Sequence, residues 1–273
     1  TARFAGQDKH DLAATYAAAG IDVAGPRLPQ EIEDQISAIR SRTFVHVGGI
    51  PVKPGDPRYG LFEAQLAYQA GNPDKAWREY RENRQRLNQA YKDLDLDFLT
   101  WIIRRHTQFE EYDTAESIAQ DLRLVVDSGE VKFEATQRGE LRLAHADIQL
   151  ANNNRTAARA RYQTIAAMPE FKGTRIGQRA QIRIAEVDRI EGDYAAAEDR
   201  LQELMQTDDF FLRVRSLYEL ARVKFDEEEY PEAKEYVDRV LMLSPDHAEA
   251  TLLKGELQVK LKKYPEATDL DLG

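Results

Sequence analysis

The residue types that ordinarily carry chemistry are present in this chain, but their spacing assembles no reaction centre. Its five histidines are His10, His46, His106, His145 and His247. No two stand at the i, i+4 spacing that sets two imidazoles on one helix face, where they could share a metal. "LAHAD" brings His145 within two residues of Asp147, yet side chains at that spacing point to different sides of a helix. The alternating carboxylates of "DLDLD", Asp93–Asp97, imitate the opening of a calcium loop but lack its Gly and closing Glu. Acids near a helix start, favoured by the helix dipole, account for them. Cysteine is absent, which removes disulfides, thiolate ligands and a cysteine nucleophile together. "VGGIPVKPGDP" has glycines without the spacing of a phosphate cradle, and neither G-x-S-x-G nor H-E-x-x-H occurs. "NRT" at Asn154–Thr156 has the form of a glycosylation acceptor, but Asn in a helix–helix turn explains it. The expectation is a non-catalytic protein with no metal and no cofactor.

Composition narrows the partners. The chain of 273 residues carries a formal charge of −10, with 32% charged and 42% hydrophobic residues. Nucleic acid and anionic membrane both present negative surfaces, so that balance argues against either as a partner. No stretch approaches the eighteen or so consecutive apolar residues of a membrane span. The opening "TARFAGQDKHDLAATY" has no Met and no basic-then-apolar leader, so it reads as a processed start or as part of a longer protein.

What positions the remaining polar residues is a repeat. "YPEA" occurs at Tyr230–Ala233 and again at Tyr264–Ala267, 34 residues apart. From Val214, the residues Leu217, Leu220, Ala221 and Lys224 form one helical stripe. Pro231 then suits the first turn of a second helix, whose inner face carries Ala233, Val237, Val240 and Leu241 before Pro245 stops it. The next repeat places Gly255 in the slot of Ala221 and Ala267 in that of Ala233. Walking backward, Ala197, Ala158, Ala115 and Ala76 occupy the same slot. Spacings along the chain are 39, 43, 39, 36 and 34 residues, with "VDSGEVKF" and "MPEFKGTR" as places for the extra length. Small residues there let two antiparallel helices approach closely, and a bulky one would force them apart.

This pattern resembles the tetratricopeptide repeat family, whose 34-residue helix–turn–helix unit carries W-x2-L-G-x2-Y, then A-x3-F, then P. The match is partial: Leu217 and Thr251 stand in place of the Trp, and Lys224 and Gln258 in place of the first Tyr. The resemblance implies an all-α, right-handed solenoid of about six helix pairs. Repeats are expected to start near residues 57, 96, 139, 178, 214 and 248. Residues 1–56 do not match; two short helices and a Pro/Gly-rich loop or extended arm are expected there, most simply as a cap on the apolar end of the stack. At the other end "YPEATDLDLG" opens a second helix and stops, so the chain is expected to continue.

The resemblance also implies that positions 2, 5, 9, 12 and 13 of each repeat face a concave groove. On that register Tyr68 and Arg104 belong to the first two repeats, and Leu143 and Asp147 to the third. The fourth contributes Arg179, Ile182, Glu186 and Arg189. Arg215, Tyr218, Arg222, Phe225 and Asp226 come from the fifth, and Glu249 and Leu252 from the sixth. Arginine beside aromatic residues is the composition of binding hot spots, and its forked donors suit carboxylates. The named candidates are therefore Tyr68, Arg104, Arg179, Arg189, Arg215, Tyr218 and Arg222, with an acidic protein or peptide segment as ligand along residues 179–226. The alternative for the same arginines is internal pairing with Glu186, Glu219 and Asp226. Chaperone-binding members of the family clamp a C-terminal carboxylate with Lys at position 5 and Asn at position 9, and neither appears in any repeat. The expected role is a protein-binding scaffold. Two others remain open: a self-associating subunit of a larger, envelope-associated assembly, and the regulatory repeat region of a larger enzyme.

Overall fold

The computed structural model describes residues 45–47, 50–52 and 55–263. It begins with a hairpin in which β1 (Val45–Val47) pairs antiparallel with β2 (Ile50–Val52), Val45 opposite Val52 and Val47 opposite Ile50. β-Branched valine and isoleucine suit a pleated strand, so the stretch expected as loop or arm contains regular strand. The two helices expected within the first 44 of the 56 residues read as a cap, and Ala267 with the last expected second helix, lie outside the described residues.

Every other described element is helical: α1 (Tyr59–Gln69) and α2 (Pro73–Asn83), followed by a short 3₁₀ turn (Arg84–Gln89), then α3 (Leu96–Gln108) and α4 (Tyr112–Ser128), α5 (Ala135–Ala151) and α6 (Arg155–Ala167), α7 (Arg175–Ile190) and α8 (Tyr194–Leu204), α9 (Phe210–Asp226) and α10 (Tyr230–Leu243), and α11 (Ala248–Lys263). None of them is long and apolar enough to cross a membrane. The chain falls into two compact units. One comprises residues through Arg105 together with Ser117–Phe133, the other His106–Glu116 together with Glu134 onward.

The turn inside each helix pair is built the same way five times. Gly71, Glu110, Asn153, Gly192 and Glu228 all have φ between +58° and +83°. Each stands five residues before its repeat alanine. The following amide donates to the carbonyl five residues back: Asn72 to Ala67, Glu111 to His106, Asn154 to Gln149, Asp193 to Asp188 and Glu229 to Lys224, at 2.8–2.9 Å. This is a Schellman ending, which satisfies carbonyls the helix leaves orphaned. Asn72, Asn154 and Asp193 then cap the next helix through their side chains. Ala76, Ala115, Ala158, Ala197 and Ala233 are all fully buried, so the turn and the small residue recur together as one module.

Longer spacings arise between pairs. α4 runs on to Ser128 before a linker, and Met168–Thr174 connects α6 to α7 around the buried ring of Phe171. Gly177 makes that connection possible, because a β-carbon there would lie 2.2 Å from the Phe171 carbonyl oxygen. Helices α5, α7 and α9 begin three or four residues ahead of the expected repeat starts at 139, 178 and 214. Their caps fix the earlier starts: Glu134 with Gln137 in a capping box, and the side chains of Thr174 and Asp209.

In the second unit the apolar interior is continuous from pair to pair. Leu143, Tyr162, Phe171 and Ile184 fill the space between α5, α6 and α7, and Ile182, Leu201, Leu212 and Val223 do so between α7, α8 and α9. Leu217, Val237, Val240 and Leu253 serve α9, α10 and α11. Each helix pair thus buries an apolar face that it could not cover alone. The first helices α5, α7, α9 and α11 then present their remaining faces to one another.

Candidate functional site

Those faces enclose a cleft of about 520 Å³. From α7, Arg175, Arg179 and Arg183 enter it at i, i+4 and i+8, with Ile182 and Glu186 beside them. From α5 come Leu143 and Asp147; Phe211, Leu212 and Arg215 come from α9, and Glu249 from α11. Four arginines and three carboxylates line the cleft, and Glu140, Asp209 and Glu219 pair with the same arginines from its margins.

Ion pairs between neighbouring first helices run through this cleft. Arg179 pairs with Glu140 of α5. Arg183 lies 3.2 Å from Asp147 of α5 and 2.6 Å from Glu186 on its own helix. Arg175 reaches Asp209 at 3.4 Å and stacks over the Phe211 ring at 5.4 Å. Arg215 is 2.7 Å from Glu219 and 3.3 Å from Glu249 of α11. Beneath the cleft Tyr162 donates to Asp147 at 2.6 Å, and burial together with the Asp147 charge pushes its phenol pKa up.

Two carboxyls respond in opposite directions. Burial pushes the Glu219 carboxyl above the usual range, reinforced by the charge of Glu186 and opposed by Arg215. Burial acts on Glu186 in the same sense, but the adjacent Arg183 overrides it and holds Glu186 below that range. The two carboxyls differ because Arg183 outweighs burial at Glu186, whereas Arg215 does not outweigh it at Glu219.

The sequence-derived candidates divide clearly. Arg179 and Arg215 line the cleft, as do Leu143, Asp147, Ile182, Glu186 and Glu249. Arg189 does not; it is only 9% exposed and pairs with Asp226 of α9. Tyr218 is buried as well, its ring 5.1 Å from His247 with Arg215 above it at 5.3 Å. Arg222 is half-buried and donates to the Tyr218 hydroxyl at 3.5 Å. Arg189 and Tyr218 therefore do not open onto a groove, being covered by an internal carboxylate and by aromatic packing, and Arg222 is not among the residues lining the cleft. Internal pairing with Glu219 and Asp226 holds for Arg215 and Arg189, whereas Glu186 is engaged by Arg183.

Sequence reasoning missed Arg175, Arg183, Phe211 and Leu212. Arg175 and Phe211 lie ahead of the assumed repeat starts, in the first turns that the caps Thr174 and Asp209 add to α7 and α9. Arg183 falls between groove positions of the family pattern; its i, i+4 spacing from Arg179 was the available signal.

Tyr68 and Arg104 belong to the first unit. The Tyr68 ring lies 5.6 Å from Phe98 and 5.1 Å from Trp101. Burial and the Asp97 charge raise its phenol pKa, while Arg104 opposes the rise. Trp77 meets Trp101 edge-on at 6.0 Å, and the Arg105 guanidinium stands 5.7 Å from one ring and 6.0 Å from the other.

Paired antiparallel helices joined by a recurring left-handed turn and sealed by a buried alanine define a helical-repeat protein. Residues 218–271 match the family model of the tetratricopeptide repeat. Among solved structures it is similar to a tetratricopeptide repeat protein from Parabacteroides merdae, at 12% identity and a TM-score of 0.51, covering 79% of this chain and 77% of that one. The C-terminal part of a TPR repeat-containing protein from Cytophaga hutchinsonii matches at 16% identity and a TM-score of 0.48, over 80% and 74% of the two chains. The TPR2AB domain of yeast Sti1, solved in a pHSP90 complex, matches at 15% identity and a TM-score of 0.32, over 78% and 87%. At 12% identity the likeness to the Parabacteroides merdae protein concerns the fold alone. No curated protein sequence matches the chain.

Proposed function

We propose that this protein is a non-catalytic interaction scaffold that holds a segment of a partner protein in the cleft between α5, α7, α9 and α11. Repeats of this family generally mediate protein–protein contact, and the described residues contain no cluster of His, Cys, Asp or Glu arranged for a metal. The observation that carries the reading is the cleft itself. It is of ligand size, is lined by Arg175, Arg179, Arg183 and Arg215, and has Phe211 68% exposed at its edge. Arginine and an accessible ring supply affinity, and guanidinium donors that the internal carboxylates leave unused suit an acidic segment.

The test is capture of partners from native extract by the wild type and by an Arg179→Glu/Arg215→Glu variant whose thermal midpoint is checked first. Partners held by the wild type are expected to be lost from the variant. Recovery of the same partners in equal amount by a folded variant would refute the assignment.

A further inference from the structure

The three arginines of α7 have a spacing that specifies more than charge. Arg175, Arg179 and Arg183 stand at successive i, i+4 positions, so each step along the helix axis is about 6 Å. An extended chain advances about 3.3 Å per residue and returns a side chain to the same face every second residue, about 6.6 Å. Over two steps the mismatch is only about 1 Å, well within the reach of an arginine side chain.

We infer that the cleft takes an extended segment lying along α7 with carboxylates at alternate positions, acid-x-acid-x-acid, opposite Arg175, Arg179 and Arg183. This rests on the reading of the cleft as a docking site and adds the conformation and the spacing of what docks. A helical ligand with acids at every fourth residue would match the same rise. Three turns of helix, however, are about 16 Å long and 10 Å across, roughly 1,200 Å³, and would overfill even the whole empty space of the cleft, open mouth included, of about 1,070 Å³. Contiguous acids on an extended chain would send every second carboxylate away from α7.

The internal partners do not block this exchange. Arg175 approaches Asp209 at Nε, Arg179 meets Glu140 at Nη1, and Arg183 turns Nε to Asp147 and Nη1 to Glu186, whereas a guanidinium has five N–H donors in a fork. All three side chains remain a third or more exposed, Arg175 at 57% and Arg179 and Arg183 at 34%. The exposed pair of Arg175 contributes little net free energy and can be exchanged, whereas Arg183, held between Asp147 and Glu186, can share its remaining donors with an incoming carboxylate. Arg215 faces the segment from α9, and Phe211 offers its ring to a residue flanking the acids.

Fluorescein-tagged peptides of equal composition and charge test this by anisotropy against the full chain. One has aspartate at alternate positions among alanines, one has its aspartates contiguous, and one has them at every fourth position. The alternating peptide is expected to bind at least tenfold more tightly than either of the others. Arg179→Gln should erase that preference, and so should Arg175→Gln, a highly exposed position whose replacement leaves the fold intact. Equal affinities for the three, all weakened by the variants, would overturn the alternating register while leaving the cleft as the docking site. Tighter binding of the every-fourth peptide would overturn the extended conformation. Binding that ignores both variants, or no binding at all, would overturn the inference; the fate of the docking site is then read from partner capture.

Discussion

In the first compact unit Tyr68, Trp77, Phe98 and Trp101 stand with ring centroids 5.1–6.0 Å apart. In the second, four arginines and three carboxylates line an open cleft. Both are built from the same helix pairs, with the same turn and the same buried alanine. Rings exclude water and gain from every contact, so they close a junction and are costly to remove. Half-exposed ion pairs contribute little to stability and can be exchanged for a ligand's charges. The repeat thus sets where helices run, and side-chain chemistry decides whether the space between them is a core or a site.

The largest effect should come from the module common to both regions. Ala233→Trp places a double ring where α9 and α10 meet without a gap. It should lower stability by about 3 kcal/mol or more through overpacking, measured by denaturant unfolding followed by circular dichroism. A loss below about 1 kcal/mol would show that the alanines do not seal the pairs. Next, Trp101→Ala in the ring cluster should cost about 2–3 kcal/mol, less than a wholly buried ring because Trp101 is partly exposed. Arg179→Gln in the cleft should cost under about 1 kcal/mol. Equal costs for these two would break the contrast between core and site.

A smaller effect tests the turns. Glu228 at φ +66° bears the strain that glycine avoids at Gly192, φ +83°. Glu228→Gly should raise stability by about 0.5–1 kcal/mol, and Gly192→Ala should lower it by about 1 kcal/mol. The smallest concerns Asp238, 2.6 Å from both Lys234 and Lys254. Hydrogen bonds from these two lysines hold its carboxyl below its ordinary pKa. Its contribution is therefore present above the unfolded-state pKa and is lost as pH falls through the folded-state value. At this exposure Asp238→Asn should cost about 0.5 kcal/mol at neutral pH and nothing near pH 2, read from unfolding curves at the two pH values.

The helix pairs were legible from Ala76 to Ala233, because a small residue between close helices is a local requirement that any one repeat displays. The recurring turn was only half legible. Gly71, Gly192 and Asn153 advertise a left-handed conformation, but Glu110 and Glu228 do not, since there the flanking helices impose it. The site was partly legible: Arg179 and Arg215 came from the family register, while Arg175 and Phe211 were hidden by helices that start earlier than that register assumes.

The order of residues by itself determined an all-α repeat and the positions where its paired helices touch, because periodicity and side-chain size act over a few residues. Only tertiary structure decided which arginines remain available. Tyr218 disappears beneath His247 and Arg215, Arg189 is held by Asp226, and Arg183 emerges into the cleft. Each outcome depends on the distance between helices some 35–40 residues apart in sequence, and the partner that neutralises a charge is chosen by that proximity.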